Sequence, residues 1–86
     1  MYLLLNTSYK KSMKIQIKLF ATLREGRGKI LEREYKEGTK IKDILNDLNI
    51  HEKDVAIILN KGITAKLDVA LVEGDYLSIF PPVGGG

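Results

Sequence analysis

Ile41, Ile44, Leu45 and Leu48 fall at i, i+3, i+4 and i+7, which puts all four on one stripe of a helix. Thr39 before them is a good N-cap and Asn49 after them a plausible stop, so the pattern predicts one helix of about ten residues. The segments around it have a different period. Ile15, Ile17 and Leu19 alternate with Lys14, Gln16 and Lys18, and Leu77 and Ile79 alternate with Tyr76, Ser78 and Phe80. Both are half-buried strands. An amphipathic helix must bury its stripe against another element, and these strands supply the surface.

The remaining apolar segments are shorter or less regular. Ile30 to Tyr35 predicts a second strand with weak alternation. Val55 to Leu59 is a continuous branched apolar run, as in a central strand, and Val69 to Val72 is a short apolar piece. Arg24 to Lys29, Glu37-Gly38, Asn60-Lys61-Gly62 and Glu73-Gly74-Asp75 read as loops or turns. The order is β-β-α-β-(β)-β. It predicts an α+β chain, a mixed sheet of four to five strands with one main helix packed on one face. The 86 residues fit a single domain with one modest core and little room for a deep active-site cavity. Met13 opens the clean strand pattern, so residues 1–12 read as an N-terminal extension, expected to be an upstream start or a disordered tail. The domain is expected to span residues 13–83, and residues 84–86 to form a flexible tail.

Composition excludes several kinds of chemistry. The chain has no cysteine, hence no disulfide, thiolate zinc site, cysteine-ligated cluster or cysteine persulfide. His51 is its one histidine and reads as a solvated loop residue, so no metal site is expected. The net charge is +3, from 14 Lys+Arg against 11 Asp+Glu. The basic excess is mostly Lys10, Lys11, Lys14, Lys18, Arg24, Arg27 and Lys29. It lacks the interleaved aromatics of a nucleic-acid stacking platform, and it reads as a solvated surface. The acidic residues lie singly on polar faces and also read as solvated. No nucleophile–histidine pairing or phosphate loop stands out, and Gly26-Arg27-Gly28 is a plain turn. No stretch approaches the roughly 20 apolar residues of a membrane span, and Tyr2 to Leu5 is too short for a signal peptide. No catalytic residue, nucleic acid or membrane is expected, and the location expected is the cytoplasm.

The informative segment is Phe80-Pro81-Pro82-Val83-Gly84-Gly85-Gly86. Neither proline can donate to a sheet ladder, so the last strand ends there and an extended stem begins. A glycine-rich terminus is commonly a frayed end, but fraying needs no stem. A terminal carboxylate on side-chain-free residues can thread a narrow channel and adopt backbone angles closed to other residues. A carboxylate is a poor electrophile until activated, for example as an acyl adenylate. Such a chain supplies a handle and a reactive end, and partners supply the catalysis.

From Met13 onward the chain resembles the MoaD/ThiS family of β-grasp, ubiquitin-like sulfur carriers, and within it the branch that supplies the small subunit of molybdopterin synthase. The residues that carry the resemblance are Leu19-Phe20-Ala21 through Leu23-Arg24-Glu25, Asn60, Glu73-Gly74-Asp75, and above all Phe80-Pro81-Pro82-Val83 with Gly85-Gly86 at the end. Residues 1–12 have no counterpart in the family pattern, and Gly84 occupies a variable position. The resemblance implies that a separate adenylating enzyme activates Gly86 with ATP. A sulfur donor then makes it a thiocarboxylate, and Gly84 and Gly85 thread the tail into a partner. In the molybdopterin branch, for molybdenum or tungsten cofactor synthesis, that partner is the large synthase subunit. The acceptor is a cyclic pterin precursor that becomes a dithiolene. The carrier itself is expected to bind no cofactor.

The first and last strands of such a sheet are adjacent and parallel. Phe20 and Phe80 both follow inward residues, so both are expected outward, at the same end and beside Pro81, Pro82 and the tail. Exposed phenylalanines commonly mark contact surfaces. Ile63 matches a third apolar contact position of the family. The alternatives are a carrier for thiamine, tRNA or amino-acid synthesis, a protein modifier joined to lysines through Gly86, and a small nucleic-acid-binding domain.

Overall fold

The computed structural model describes residues 11–83. Five strands, β1 (Ser12–Leu19), β2 (Ile30–Lys36), β3 (Ile57–Asn60), β4 (Ile63–Thr64) and β5 (Tyr76–Phe80), form one sheet in the order β2-β1-β5-β3-β4. One α-helix, α1 (Ile41–Asp47), and two single-turn 3₁₀ segments, Ala21–Arg24 and Glu52–Asp54, complete the fold. This is the α+β, ubiquitin-like β-grasp arrangement. β1 and β5 run parallel, with Leu19 beside Ile79, and the other pairs are antiparallel. Among the described residues, no helix is long and apolar enough to cross a membrane.

Period 2 sorts β1 as the sequence predicts. Met13, Ile15, Ile17 and Leu19 are buried, while Lys14 and Lys18 are exposed. Leu77 and Ile79 of β5 join them, and Ile41, Ile44 and Leu45 of α1 close the core with Leu71. β1 begins at Ser12, which pairs with Lys36, and the Lys11 carbonyl accepts a bond from Glu37 N. The strand therefore starts one residue before the expected boundary.

The helix, at seven residues, is shorter than the roughly ten residues expected, and its start differs. Lys40, not Thr39, is the N-cap. The Thr39 hydroxyl donates instead to the Lys36 carbonyl (2.7 Å), while Asp43 accepts from Lys40 N (3.2 Å). Asn49 does stop the helix, in the left-handed region at φ 56°. Ile50 N reaches back to Leu45 O (2.9 Å) and Asn49 N to Asn46 O (3.1 Å), the two bonds of a Schellman C-cap.

Val55 to Leu59 does not build a central strand. β5 is central, and β3 is the fourth strand of five. Only Ile58 of that run is fully buried, and Ile57 is 49% exposed. The Lys61-Gly62 turn has φ 54° and 82°, positive at both positions as a type I′ hairpin requires. Val69 to Val72 forms no strand, only an isolated bridge from Ala70 to Lys40.

Candidate partner-docking site at the end of β5

β5 stops for a covalent reason. Phe80 O accepts from Ala56 N (2.8 Å) and Ile79 O from Phe20 N (3.2 Å). Pro81 and Pro82 then have no N–H to continue the ladder. Pro81 is half-buried, Pro82 is exposed and Val83 is 93% exposed, so the chain leaves the sheet at this point. Gly84, Gly85 and Gly86, the residues expected to thread and react, lie outside the described residues.

Two aromatic rings flank the exit. The β1–β5 register sets Leu19 beside Ile79, so the next residues, Phe20 and Phe80, are also neighbours and fall outside the core. Their ring centroids are 4.2 Å apart and their planes differ by 13°. The sequence predicts two outward rings at one end, and that is where they lie. They are half-buried rather than open, because each covers the other. Arg24 adds a further layer. Its guanidinium lies 5.4 Å from the Phe20 ring centre, within cation–π range, and its Nε donates to Leu19 O at 2.9 Å. Between them, Ala21 turns the chain at φ 52°, a left-handed conformation that costs an alanine roughly 1–2 kcal/mol.

Ile63 does not join this pair. It is 72% exposed and sits opposite Asn60, at the hairpin end of β3. Phe80 sits opposite Ile57, at the other end. Three strand positions along β3, roughly 10 Å, and two strand spacings across it, again roughly 10 Å, separate them. Ile57 is the apolar neighbour that the sequence reading missed. An unbroken apolar run hides which members face out, but in a strand alternate residues must do so.

The stem also borders an open cleft of about 490 Å3, lined by Thr22, Leu23, Arg27, Ile50, Asp54 and Pro81–Val83. A larger groove, about 590 Å3, runs along β3 beside Lys42 and residues 64–68. It contains Ile57 but neither phenylalanine nor the stem.

Two basic residues expected as solvated have structural partners. Arg24 is engaged as above. Arg27 is half-buried and donates to Leu23 O (3.1 Å), Leu48 O (2.9 Å) and Asn49 O (2.9 Å), a guanidinium set on the carbonyl end of α1. Asp75 corrects the reading of the acidic residues. It is only 7% exposed, accepts from Val72 N at 2.9 Å and lies 3.7 Å from Lys61 Nζ. Its carboxylate closes the turn before β5. His51 is exposed, as expected. Among the described residues no group of three or more His, Cys, Asp or Glu is placed to hold a metal ion.

Comparison with known proteins agrees with this geometry. A sequence model of the ThiS family matches residues 17–86. No curated protein sequence matches. A Pyrococcus furiosus structure assigned as subunit 1 of molybdopterin converting factor is 29% identical. It covers 83% of this chain and 99% of its own, with a TM-score of 0.68. The solution structure of small archaeal modifier protein 1 from Methanosarcina acetivorans is 25% identical and covers 88% and 99%, at 0.67. A Helicobacter pylori complex of subunits 1 and 2 of molybdopterin-converting factor contains a chain of the same fold. That chain is 21% identical, covers 86% and 100%, and has a TM-score of 0.58.

Proposed function

The chain belongs to the ThiS family, and we propose that it works there as a sulfur carrier for molybdopterin synthesis, with its chemistry on the carboxylate of Gly86. The observation that carries this reading is the exit of β5. A proline stem leaves the sheet beside the Phe20–Phe80 stack, and the family match continues through Gly86. The P. furiosus likeness favours the molybdopterin branch over thiamine, tRNA or amino-acid pathways.

In this reading a Gly86 carboxylate oxygen attacks the α-phosphate of ATP on an adenylating partner, and pyrophosphate leaves. Hydrosulfide, or a donor's equivalent of it, then attacks the acyl carbon and AMP departs, leaving a thiocarboxylate. The carrier contributes reach and docking, and its partners contribute the catalytic groups. The rings and stem dock on the large synthase subunit, and the tail delivers sulfur to a cyclic pterin precursor. An ATP-dependent cycle of this kind belongs in the cytoplasm. The test is reconstitution. Thiocarboxylated carrier with the large subunit converts the pterin precursor to a dithiolene, and carrier lacking Gly85 and Gly86 does not. Full conversion by the truncated carrier defeats the reading.

A second reading rests on the likeness to small archaeal modifier protein 1. The same activated Gly86 can join a lysine amine instead of sulfur, making the chain a protein modifier. Isopeptide-linked adducts in cell lysate, ending in Gly86, distinguish it.

A further inference from the structure

After Phe80 no backbone N–H of Pro81 or Pro82 can hold the chain to the sheet, because both lack the donor. The direction of the stem therefore depends on the wall it lies beside, the cleft formed by Thr22, Leu23, Ile50 and Asp54. These residues come from separate pieces: the 3₁₀ turn after β1, the segment just past the C-cap of α1, and the second 3₁₀ turn. None of them is a strand. What ties the first piece to the second is Arg27, whose guanidinium bonds Leu23 O on one side and Leu48 O and Asn49 O on the other. Arg27 also lines the cleft itself.

We propose that Arg27 is a positioning residue for the reactive tail: its guanidinium clamps the 3₁₀ turn that follows Phe20 to the end of α1, and so fixes the wall that aims the Pro81–Val83 stem. The inference rests on the sulfur-carrier reading for its functional consequence, though not for the clamp. A fan of donors is needed, since three carbonyls are reached in different directions. A lysine offers one nitrogen at the end of a flexible stem and cannot reproduce that fork. The carbonyls lie at partly exposed sites, where water can replace the lost bonds. Removing the clamp should therefore loosen the wall without unfolding the sheet.

The experiment compares full-length wild type with Arg27→Gln and Arg27→Lys. Nuclear Overhauser contacts of the Pro81 and Pro82 rings and the Val83 methyls with the rest of the protein report the stem. They are expected to weaken at least twofold in both variants, with the shifts of β1 and β5 retained. With saturating adenylating enzyme, ATP and sulfide, thiocarboxylate formation should slow about tenfold in both. Contacts that persist in Arg27→Gln overturn the clamp, and lost contacts with an unchanged rate overturn its role in the reaction. A lysine variant that restores both overturns the need for the fork. Should Arg27→Gln fail to fold, Arg27→Lys, which keeps the charge and one donor nitrogen, decides the clamp alone. It must then weaken the stem contacts and slow thiocarboxylation, and an unchanged rate overturns the proposal. If wild type itself gains no sulfur, the carrier reading has failed, while the stem contacts still decide the clamp.

Discussion

Phe20 and Phe80, from opposite ends of the chain, stack with ring centroids 4.2 Å apart where β5 leaves the sheet. Neither ring belongs to the core cluster, yet each shields the other. A stacked aromatic pair contributes about 0.5–1.5 kcal/mol beyond its buried area, so a double-mutant cycle of Phe20→Ala and Phe80→Ala should show coupling of about 1 kcal/mol in urea unfolding. Each single variant should lose less than the roughly 3–5 kcal/mol of a deleted core phenylalanine. Each should weaken association with the large synthase subunit by roughly 2 kcal/mol or more. Severe unfolding with unchanged affinity makes the pair a piece of core rather than a docking surface.

Tyr35 ties β2 to the end of α1 by donating to Asp47 Oδ2 at 2.9 Å. Burial, then the bond to the Asp47 carboxylate and its negative charge, hold the Tyr35 phenol well above its ordinary value of 10.0. A raised pKa adds stability that is present below the unfolded value and is lost as pH rises beyond it. Tyr35→Phe should therefore be less stable than wild type by about 1 kcal/mol at pH 8. The gap should shrink once the pH exceeds 10, because the Tyr35 phenol ionises there in the unfolded wild-type chain and the variant has no such group. Urea midpoints at pH 8 and pH 11 measure it, and a gap that grows with pH contradicts this assignment.

Asp75 should behave unlike the surface carboxylates. Its buried oxygen accepts from Val72 N, and Asp75→Ala leaves that donor without its partner, at roughly 1–3 kcal/mol. Glu34→Ala, on the exposed side of β2, should stay within about 0.5 kcal/mol. Equal midpoints for the two variants in a denaturant titration refute the distinction.

These residues also show what a linear reading can reach. The inward sets of β1 and β5 were legible because a strand's period of two fixes parity. With the parallel pairing of β1 and β5, that parity placed Phe20 and Phe80 together. Asn49 was legible as a helix stop from local chemistry. Arg27 was not, because its acceptors Leu48 O and Asn49 O belong to residues 21 and 22 positions away. Asp75 looked like a turn residue on a polar face, and only the fold of residues 72–75 buries it. The role of Val55 to Leu59 failed for a different reason. Apolar content does not say whether a strand is covered on both faces, and β3 has Ile57 facing out. Ile63 is exposed as a contact residue must be, but hairpin position, which sequence spacing does not convey, keeps it from the phenylalanine pair.

Whether sulfur travels on Gly86 is read from the intact mass of the full chain after incubation with its adenylating enzyme, ATP and a sulfide source. One oxygen should be replaced by sulfur, and fragmentation should place the change on Gly86. A chain lacking Gly85 and Gly86, or one carrying an added residue after Gly86, should show no change. With no cysteine in the chain, there is no thiol to hold sulfur elsewhere. Sulfur located on any other residue, or incorporated equally by the truncated chain, would show that Gly86 is not the carrier.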